Sequence, residues 1–243
     1  MKIYGLIGYP LSHSFSKGYF AEKFSKENIS NCFYDNFSIP DINIFPTLLT
    51  QHPDFAGLNV TIPYKEVVMP YLDELSDAVK EIGAVNCIRF ENGKKIGYNT
   101  DVIGFTNSLK PLLQPHHTHA LVLGTGGAAK AVMYALKQLN ITYTLVSRQA
   151  GENAVPYSAI GEAAMALNTV IINTTPLGMY PNVDACPPIP YEYITDRHLL
   201  YDLVYNPPVT LFLQKGADKG AVIKNGHEML IMQAEAAWEI WNS

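Results

Sequence analysis

The chain has 243 residues, 48% of them hydrophobic and 16% charged, with a formal net charge of −5 and three cysteines. That size and balance describe a globular protein of one large or two small domains, able to bury roughly three quarters of its unfolded surface. They exclude several classes: no basic tract suits nucleic acid or an anionic membrane, and no apolar run reaches spanning length. Cys32, Cys87 and Cys186 form no CxxC pair, which speaks against a disulfide framework or zinc site and for a reducing cytoplasm. The first residues lack the apolar core and small-residue cleavage site of a signal peptide.

Residues 2–8 read as a buried strand ending at Gly8-Tyr9-Pro10. A helix over 14–28 follows, with Phe15, Tyr19, Phe20 and Phe24 on one face. Residues 32–39 are strand-like, and 42–50 suit a helix that takes Pro46 in its first turn. Residues 57–63 form a strand closed by Pro63, and 65–75 and 76–82 read as helices. Residues 86–98 suggest a hairpin with Asn92-Gly93 as a type I′ turn. Asp101 N-caps a helix that runs to about Leu113.

The stretch Pro115 to His119 is polar, but His116, His117 and His119 lack the carboxylate or cysteine company of a metal site, so it reads as a solvated loop. A second series follows: strand 119–124, helix 126–139, strand 141–147, a weak helix near 157–166 and strand 169–174. Strand 199–205, a helix near 210–217, strand 221–224 and a helix over 227–242 complete it. In the last helix Leu230, Ile231, Ala234, Trp238 and Trp241 are the apolar positions. His227-Glu228 begins like a zinc HExxH motif, but residue 231 is isoleucine, so that reading fails. Strands alternating with helices imply an α/β fold on parallel sheets.

The apolar run 119–123 leads into Gly124-x-Gly126-Gly127-x-Ala129, and then Ala131, Val132, Ala135, Leu136 and Leu139 recur at helical spacing. Strand, glycine turn and helix in this order suit a dinucleotide pyrophosphate. Gly124 allows the tight turn, Gly126 leaves room for close approach, and a helix start offers free N–H groups. The turn lies in mid-chain, which suggests a substrate domain first and a cofactor domain second. A dinucleotide enzyme specific for NAD places Asp or Glu about 20 residues on, to bind the 2′-hydroxyl. Here the position reads Ser147-Arg148-Gln149. A guanidinium attracts a 2′-phosphate where an acid repels it, so the chain leans toward NADP.

Four further segments gather polar residues at strand ends. Ser12-His13-Ser14-Phe15-Ser16 offers two hydroxyls at a helix start, suited to a carboxylate or, for one of them, to a helix cap. Asn59 and Thr61 share one side of a strand, with Lys65 just beyond. Ala84-Val85-Asn86 and Asn99-Thr100-Asp101 complete the set, Asp101 serving as cap, as ligand or as both.

These segments stand in the order seen in shikimate dehydrogenases, which the chain resembles over nearly its whole length. The shared motifs are Ser12–Ser16, Asn59–Glu66, Gly83–Asn86, Asn99–Asp101 and Gly124–Ala129. Asn173–Met179, Tyr201–Pro207 and Gly226–Ala234 continue the match. The resemblance implies a two-domain α/β enzyme: an N-terminal substrate domain, a Rossmann-type NADP-binding domain, and a last helix that returns to the first. The corresponding spans are 1–101 with 226–243, and 102–225. It implies Lys65 as catalytic acid/base with Asp101. It further implies Ser14, Ser16 and Tyr205 at the substrate carboxylate, and Thr61, Asn86 and Gln233 at ring hydroxyls. Gly124, Gly126, Gly127 and Ala128 would hold the pyrophosphate, Ser147 and Arg148 the adenosine ribose, and Thr174, Gly226 and Met229 the rest of the cofactor.

The implied activity is reversible, NADPH-dependent reduction of 3-dehydroshikimate to shikimate by a cytoplasmic monomer or homodimer, with NADP as the cofactor and NAD left open. Quinate as substrate, or a non-catalytic NADP-binding regulator, are the alternatives. Three positions depart from the family pattern. Lys17 replaces a usual proline, which places a second cation near the serines or shifts the helix start. No Lys or Arg follows Arg148 until Arg197. His227 stands where an apolar residue is usual.

Overall fold

The computed structural model describes residues 1–11, 14–151 and 153–243. Ser12 and His13 of the first polar segment therefore lie outside the described residues. The chain divides into two units, Met1–Thr100 with Ala234–Ser243, and Asp101–Gln233. Among the described residues no helix is long and apolar enough to cross a membrane.

The first unit is built on a mixed sheet in the order β2-β1-β3-β5-β6-β4. Its strands are β1 (Lys2–Gly8), β2 (Cys32–Ser38), β3 (Phe55–Val60), β4 (Glu74–Leu75), β5 (Cys87–Glu91) and β6 (Lys94–Tyr98). β1 pairs in parallel with β2 and β3, as the strand–helix–strand pattern requires, while β5 runs antiparallel to both β3 and β6. Asn92 (φ 51°) and Gly93 (φ 77°) supply the two left-handed residues of the type I′ turn. Alternate β1 residues face two cores. Tyr4 and Leu6 meet α1 (Phe15–Lys26) and the C-terminal residues Ala234, Ala237 and Trp241. Ile7 meets α2 (Phe45–Gln51) and Val79 of α3 (Asp77–Ile82).

Two expectations fail here. Residues 65–75 are not a helix but a turn, one 3₁₀ turn at Met69–Tyr71 and the strand β4. Pro70 lacks the N–H a helix needs, and the segment pairs along β6 instead: Asp73 N–H donates to Lys95 O and Ser76 N–H to Gly97 O, each 2.9 Å. The helix beginning at Asp101, α4 (Asp101–Leu109), passes into a 3₁₀ turn at Pro111 instead of reaching Leu113, and Asp101 is its first residue rather than its cap.

The second unit is a fully parallel sheet in the order β9-β8-β7-β10-β11-β12. The strands are β7 (His119–Leu123), β8 (Thr142–Ser147), β9 (Ala154–Pro156), β10 (Val170–Asn173), β11 (Leu199–Asp202) and β12 (Val222–Lys224). Numbered within the unit this is the doubly wound dinucleotide-binding order, which reverses between β7 and β10. α4, α5 (Gly127–Gln138) and Met229 of α8 (His227–Asn242) cover one face. α6 (Glu162–Leu167) and α7 (Leu211–Ala217) cover the other. β9 was not foreseen in the sequence. Near Gly104 of α4 a side chain would meet Met229 O at 2.5 Å, so α4 and the start of α8 pack backbone to backbone. Leu230 and Ile231, expected on the apolar face of α8, are only half-buried, whereas Met229, Gln233, Ala234, Ala236, Ala237 and Trp241 are buried.

Candidate active site

In the first unit the expected residues converge at the carboxyl ends of β1 and β3. Backbone hydrogen bonds hold them: Thr61 N–H donates to Ile7 O, Val60 N–H to Asn86 O, and Val85 N–H to Lys65 O, at 2.9, 2.9 and 2.7 Å. Lys65 thus leaves a fixed backbone. Its neighbour Tyr64 is buried and donates its hydroxyl to Ile39 O at 2.5 Å, anchoring the turn beneath the lysine. Asn86 is buried and its Oδ1 accepts the Thr100 N–H at 2.6 Å. Asn99 Nδ2 donates to Ala84 O at 2.9 Å, which ties the two asparagine segments together.

The two serines separate in role. Ser14 is the N-cap of α1 (φ −119°, ψ 115°) and accepts the Lys17 N–H at 3.4 Å. Ser16 lies in the first turn and its hydroxyl bonds the phenol of Tyr34. Tyr34 is buried on β2 and donates to Asn59 Oδ1 at 2.8 Å, and Asn59 Nδ2 donates to Asn86 O at 3.3 Å. Burial pushes the Tyr34 hydroxyl well above its usual range, so it stays protonated. Asn59 is therefore an internal strut, with both ends of its amide engaged. A continuous polar chain runs from Ser16 to Asn86 through Tyr34. Tyr34 and Tyr64 were missed in the sequence because an aromatic residue in an apolar strand shows no sign of where its hydroxyl points.

The departure at Lys17 has a local partner. Its ammonium meets Asp35 Oδ1 at 2.5 Å and holds that carboxyl below the usual carboxylate range. α1 starts one residue after Ser14, and the Lys17 charge is matched on β2.

In the second unit the glycine turn sits where the strand order reverses. Gly124 has φ +110°, and a Cβ there would meet Thr174 Oγ1 at 2.7 Å and Thr175 Cγ2 at 2.9 Å. Only glycine meets both demands. Thr174 closes on β7 by donating its N–H (2.9 Å) and its hydroxyl (2.7 Å) to Leu123 O. α5 starts with Gly126 as N-cap and no side-chain cap bond, so the helix presents its first N–H groups unscreened. A Cβ on Gly126 would meet no protein atom within 4 Å. Gly127 and Ala128 continue this first turn, and Ala129 is buried against the sheet. These features fit a phosphate group at the helix start.

Ser147 ends β8 and donates its hydroxyl to Gln149 O. Arg148 follows, exposed, with its charge acting on the Tyr157 hydroxyl just past β9. Gly226 is buried, and a side chain there would overlap Leu203 O, so its need for glycine is the tight crossing of that backbone. Met229 belongs to the core beneath α4. Gln233 is buried with Nε2 donating to Leu230 O at 2.9 Å, and Tyr205 is 39% exposed.

Comparison with known proteins fits this geometry. The family model of the shikimate dehydrogenase substrate binding domain matches residues 6–88. A shikimate dehydrogenase (NADP(+)) of Clostridium beijerinckii is 40% identical over 250 residues, covering 99% of this chain and 92% of the relative. The crystal structure of shikimate dehydrogenase from Aquifex aeolicus superposes with a TM-score of 0.88 at 34% identity, covering 100% of this chain and 92% of the other. The shikimate 5-dehydrogenase of Thermus thermophilus, in complex with NADP(H) and shikimate, gives 0.87 at 31% identity, covering 99% and 93%. Fold, motif order and full-length similarity agree: the chain belongs to the shikimate dehydrogenase family.

Proposed function

We propose that this chain is an NADP-dependent shikimate dehydrogenase that reversibly reduces 3-dehydroshikimate to shikimate, a step toward the aromatic amino acids. The observation that carries the reading is the uncapped start of α5 beside the Gly124 turn, on a chain that also fixes Lys65 between Thr61 and Asn86.

NADPH, when bound, supplies the hydride to the ring ketone carbon. Lys65 donates a proton to the ketone oxygen as negative charge develops there, and takes it back in the reverse direction. Asp101 is the carboxylate of that acid/base pair. Ser14, Ser16 and Tyr205 bind the substrate carboxylate, and Thr61, Asn86 and Gln233 its ring hydroxyls. Support comes from the backbone hydrogen bonds that fix Thr61, Lys65 and Asn86, which orient these side chains before substrate arrives. Gly124, Gly126, Gly127 and Ala128 take the pyrophosphate, and Thr174, Gly226 and Met229 border the cofactor. Ser147 and Arg148 take the adenosine ribose.

Arg148 is exposed, and no second base follows it until Arg197. A single, partly screened guanidinium gives NADPH a moderate advantage over NADH that shrinks with salt. The first unit is the substrate domain and the second the cofactor domain. Three free cysteines fit a reducing cytoplasm.

The test is loss of NADPH absorbance with 3-dehydroshikimate and, separately, 3-dehydroquinate. Oxidation with the first is the expected result. Oxidation with the second alone would make the enzyme a quinate dehydrogenase. Tight NADPH binding without oxidation of either would make the chain a non-catalytic NADP-binding regulator.

A further inference from the structure

Asp202, the last residue of β11, is fully buried in the second unit and takes no part in the chemistry above. Three neutral donors meet its carboxylate. Thr210 donates its hydroxyl to Oδ2 at 2.5 Å, Val204 its N–H to Oδ1 at 3.0 Å, and Asn173 its Nδ2 to Oδ1 at 2.9 Å. Burial pushes the carboxyl up to about 6, against the pull of these donors. A buried carboxylate that meets no cation among the described residues is an expensive way to fill a core position. Its use must lie in something an apolar residue cannot do.

That use is visible one bond further along. A carboxylate only accepts hydrogen bonds, so Asn173 has to turn its Nδ2 toward Asp202. Its Oδ1 then faces Thr175 and accepts both the N–H at 3.0 Å and the hydroxyl at 2.6 Å. Thr175 Oγ1 in turn accepts the Leu177 N–H at 3.3 Å. An asparagine amide keeps its shape when flipped, so shape alone leaves its polarity open. Flipped, Asn173 would set Nδ2 against the Thr175 N–H, donor against donor, and its oxygen against a carboxylate. Thr174 lies inside this bracket, with its Oγ1 where a Gly124 side chain would fall.

We propose that Asp202 is a positioning residue for the cofactor cradle. Acting through Asn173, it sets the amide polarity that holds residues 174–177 against the Gly124 turn. The inference rests on the NADPH reading of that turn.

The experiment measures NADPH affinity by calorimetry and steady-state KM for NADPH and 3-dehydroshikimate, in the wild type, Asp202→Leu, Asp202→Asn and Thr175→Val. Asp202→Leu should raise the Kd and KM of NADPH by roughly tenfold, ~1.4 kcal/mol, with the 3-dehydroshikimate KM moving about twofold at most. Asp202→Asn keeps a carbonyl oxygen for Asn173 and Val204 and should restore NADPH affinity to within about threefold of the wild type. Thr175→Val leaves Asp202 and Asn173 in place, removes the far end of the bracket, and should shift NADPH alone. It carries the test if Asp202→Leu does not fold. A merely structural role predicts a lower melting temperature and less active enzyme with NADPH affinity unchanged, and that result overturns the inference. An equal rise in both KM values, or Asp202→Asn as damaging as Asp202→Leu, also overturns it. A wild type that binds no NADPH overturns the functional reading, and this inference with it.

Discussion

Gly124 and Gly126 stand two residues apart, yet a methyl group on each would be felt by a different process. At Gly126 the backbone (φ −76°, ψ 179°) is open to any residue, and an added Cβ meets no protein atom. Alanine there gains about 0.4–1 kcal/mol from a less flexible unfolded chain. It loses about 1 kcal/mol as a poorer N-cap than glycine. Folding stability should therefore change by less than about 1 kcal/mol. The methyl would, however, stand between the first N–H groups of α5 and a pyrophosphate. Loss of one charge-assisted hydrogen bond costs about 1.5–3 kcal/mol, so the NADPH Kd should rise roughly 10- to 100-fold.

Gly124→Ala reverses the pattern. Its φ of +110° and the contacts with Thr174 and Thr175 place the strain in the fold itself, about 1–3 kcal/mol. Calorimetric NADPH titration beside urea unfolding separates the two variants. Wild-type NADPH binding by Gly126→Ala, or a loss of stability in it as large as that of Gly124→Ala, would refute this separation.

Other outcomes follow from the first unit and from the buried histidines. Lys65→Ala should lower kcat by about two to four orders of magnitude, with a far smaller change in shikimate KM; near-normal turnover in steady-state assays would remove Lys65 from the chemistry. Ser14→Ala and Ser16→Ala should each weaken shikimate by roughly 1–3 kcal/mol, and Ser14→Ala should in addition lower urea stability by about 1 kcal/mol through the lost cap, which Ser16→Ala, capping nothing, should not. An equal drop in urea stability for both, or an unchanged shikimate affinity in either, would contradict that assignment. His117 accepts the Gln114 N–H at Nδ1 and donates from Nε2 to Arg197 O, so it is neutral, and burial holds its pKa below 6.5. The unfolded chain takes up this proton first, so the contribution is whole above about pH 6.5 and shrinks as pH falls toward the folded value. His117→Gln should flatten the fall in urea midpoint over that range, and an unchanged slope would assign it to other groups.

Much of the fold could be read from local pattern, because those features depend on neighbours in sequence. The helical spacing of Ala131, Val132, Ala135 and Leu136, the Asn92-Gly93 turn, and the Gly124 turn after an apolar run are of this kind. Residues 65–75 misled because Val67, Val68, Tyr71, Leu72 and Leu75 mimic a helical period, while the segment only turns locally (Val68 N–H to Tyr64 O, Tyr71 N–H to Val68 O) before its last residues pair with β6. β9 has three residues and ends in proline, too little to register. The supports of the site were hidden for another reason. Asn173 and Asp202 are 29 residues apart, and Tyr34 and Asn59 are 25 apart. Buried polar side chains acquire meaning only when the fold supplies the partner.

The rims of the two sheets differ in how they would meet another extended chain. The second sheet ends in β9 and β12, three residues each, one closed by Pro156 and the other by Lys224. Neither offers a template long enough to recruit a stranger. The first sheet ends on one side in the two-residue β4 but on the other in β2, seven residues with Phe33 exposed. There the Asn36 N–H turns back onto its neighbour, donating to Asp35 Oδ1 at 2.8 Å, and the same carboxylate holds Lys17. One side chain thus occupies a backbone donor and places a charge pair on the longest open rim. The residue that balances Lys17 is also the one that occupies a donor on the rim where edge strands are most open to pairing.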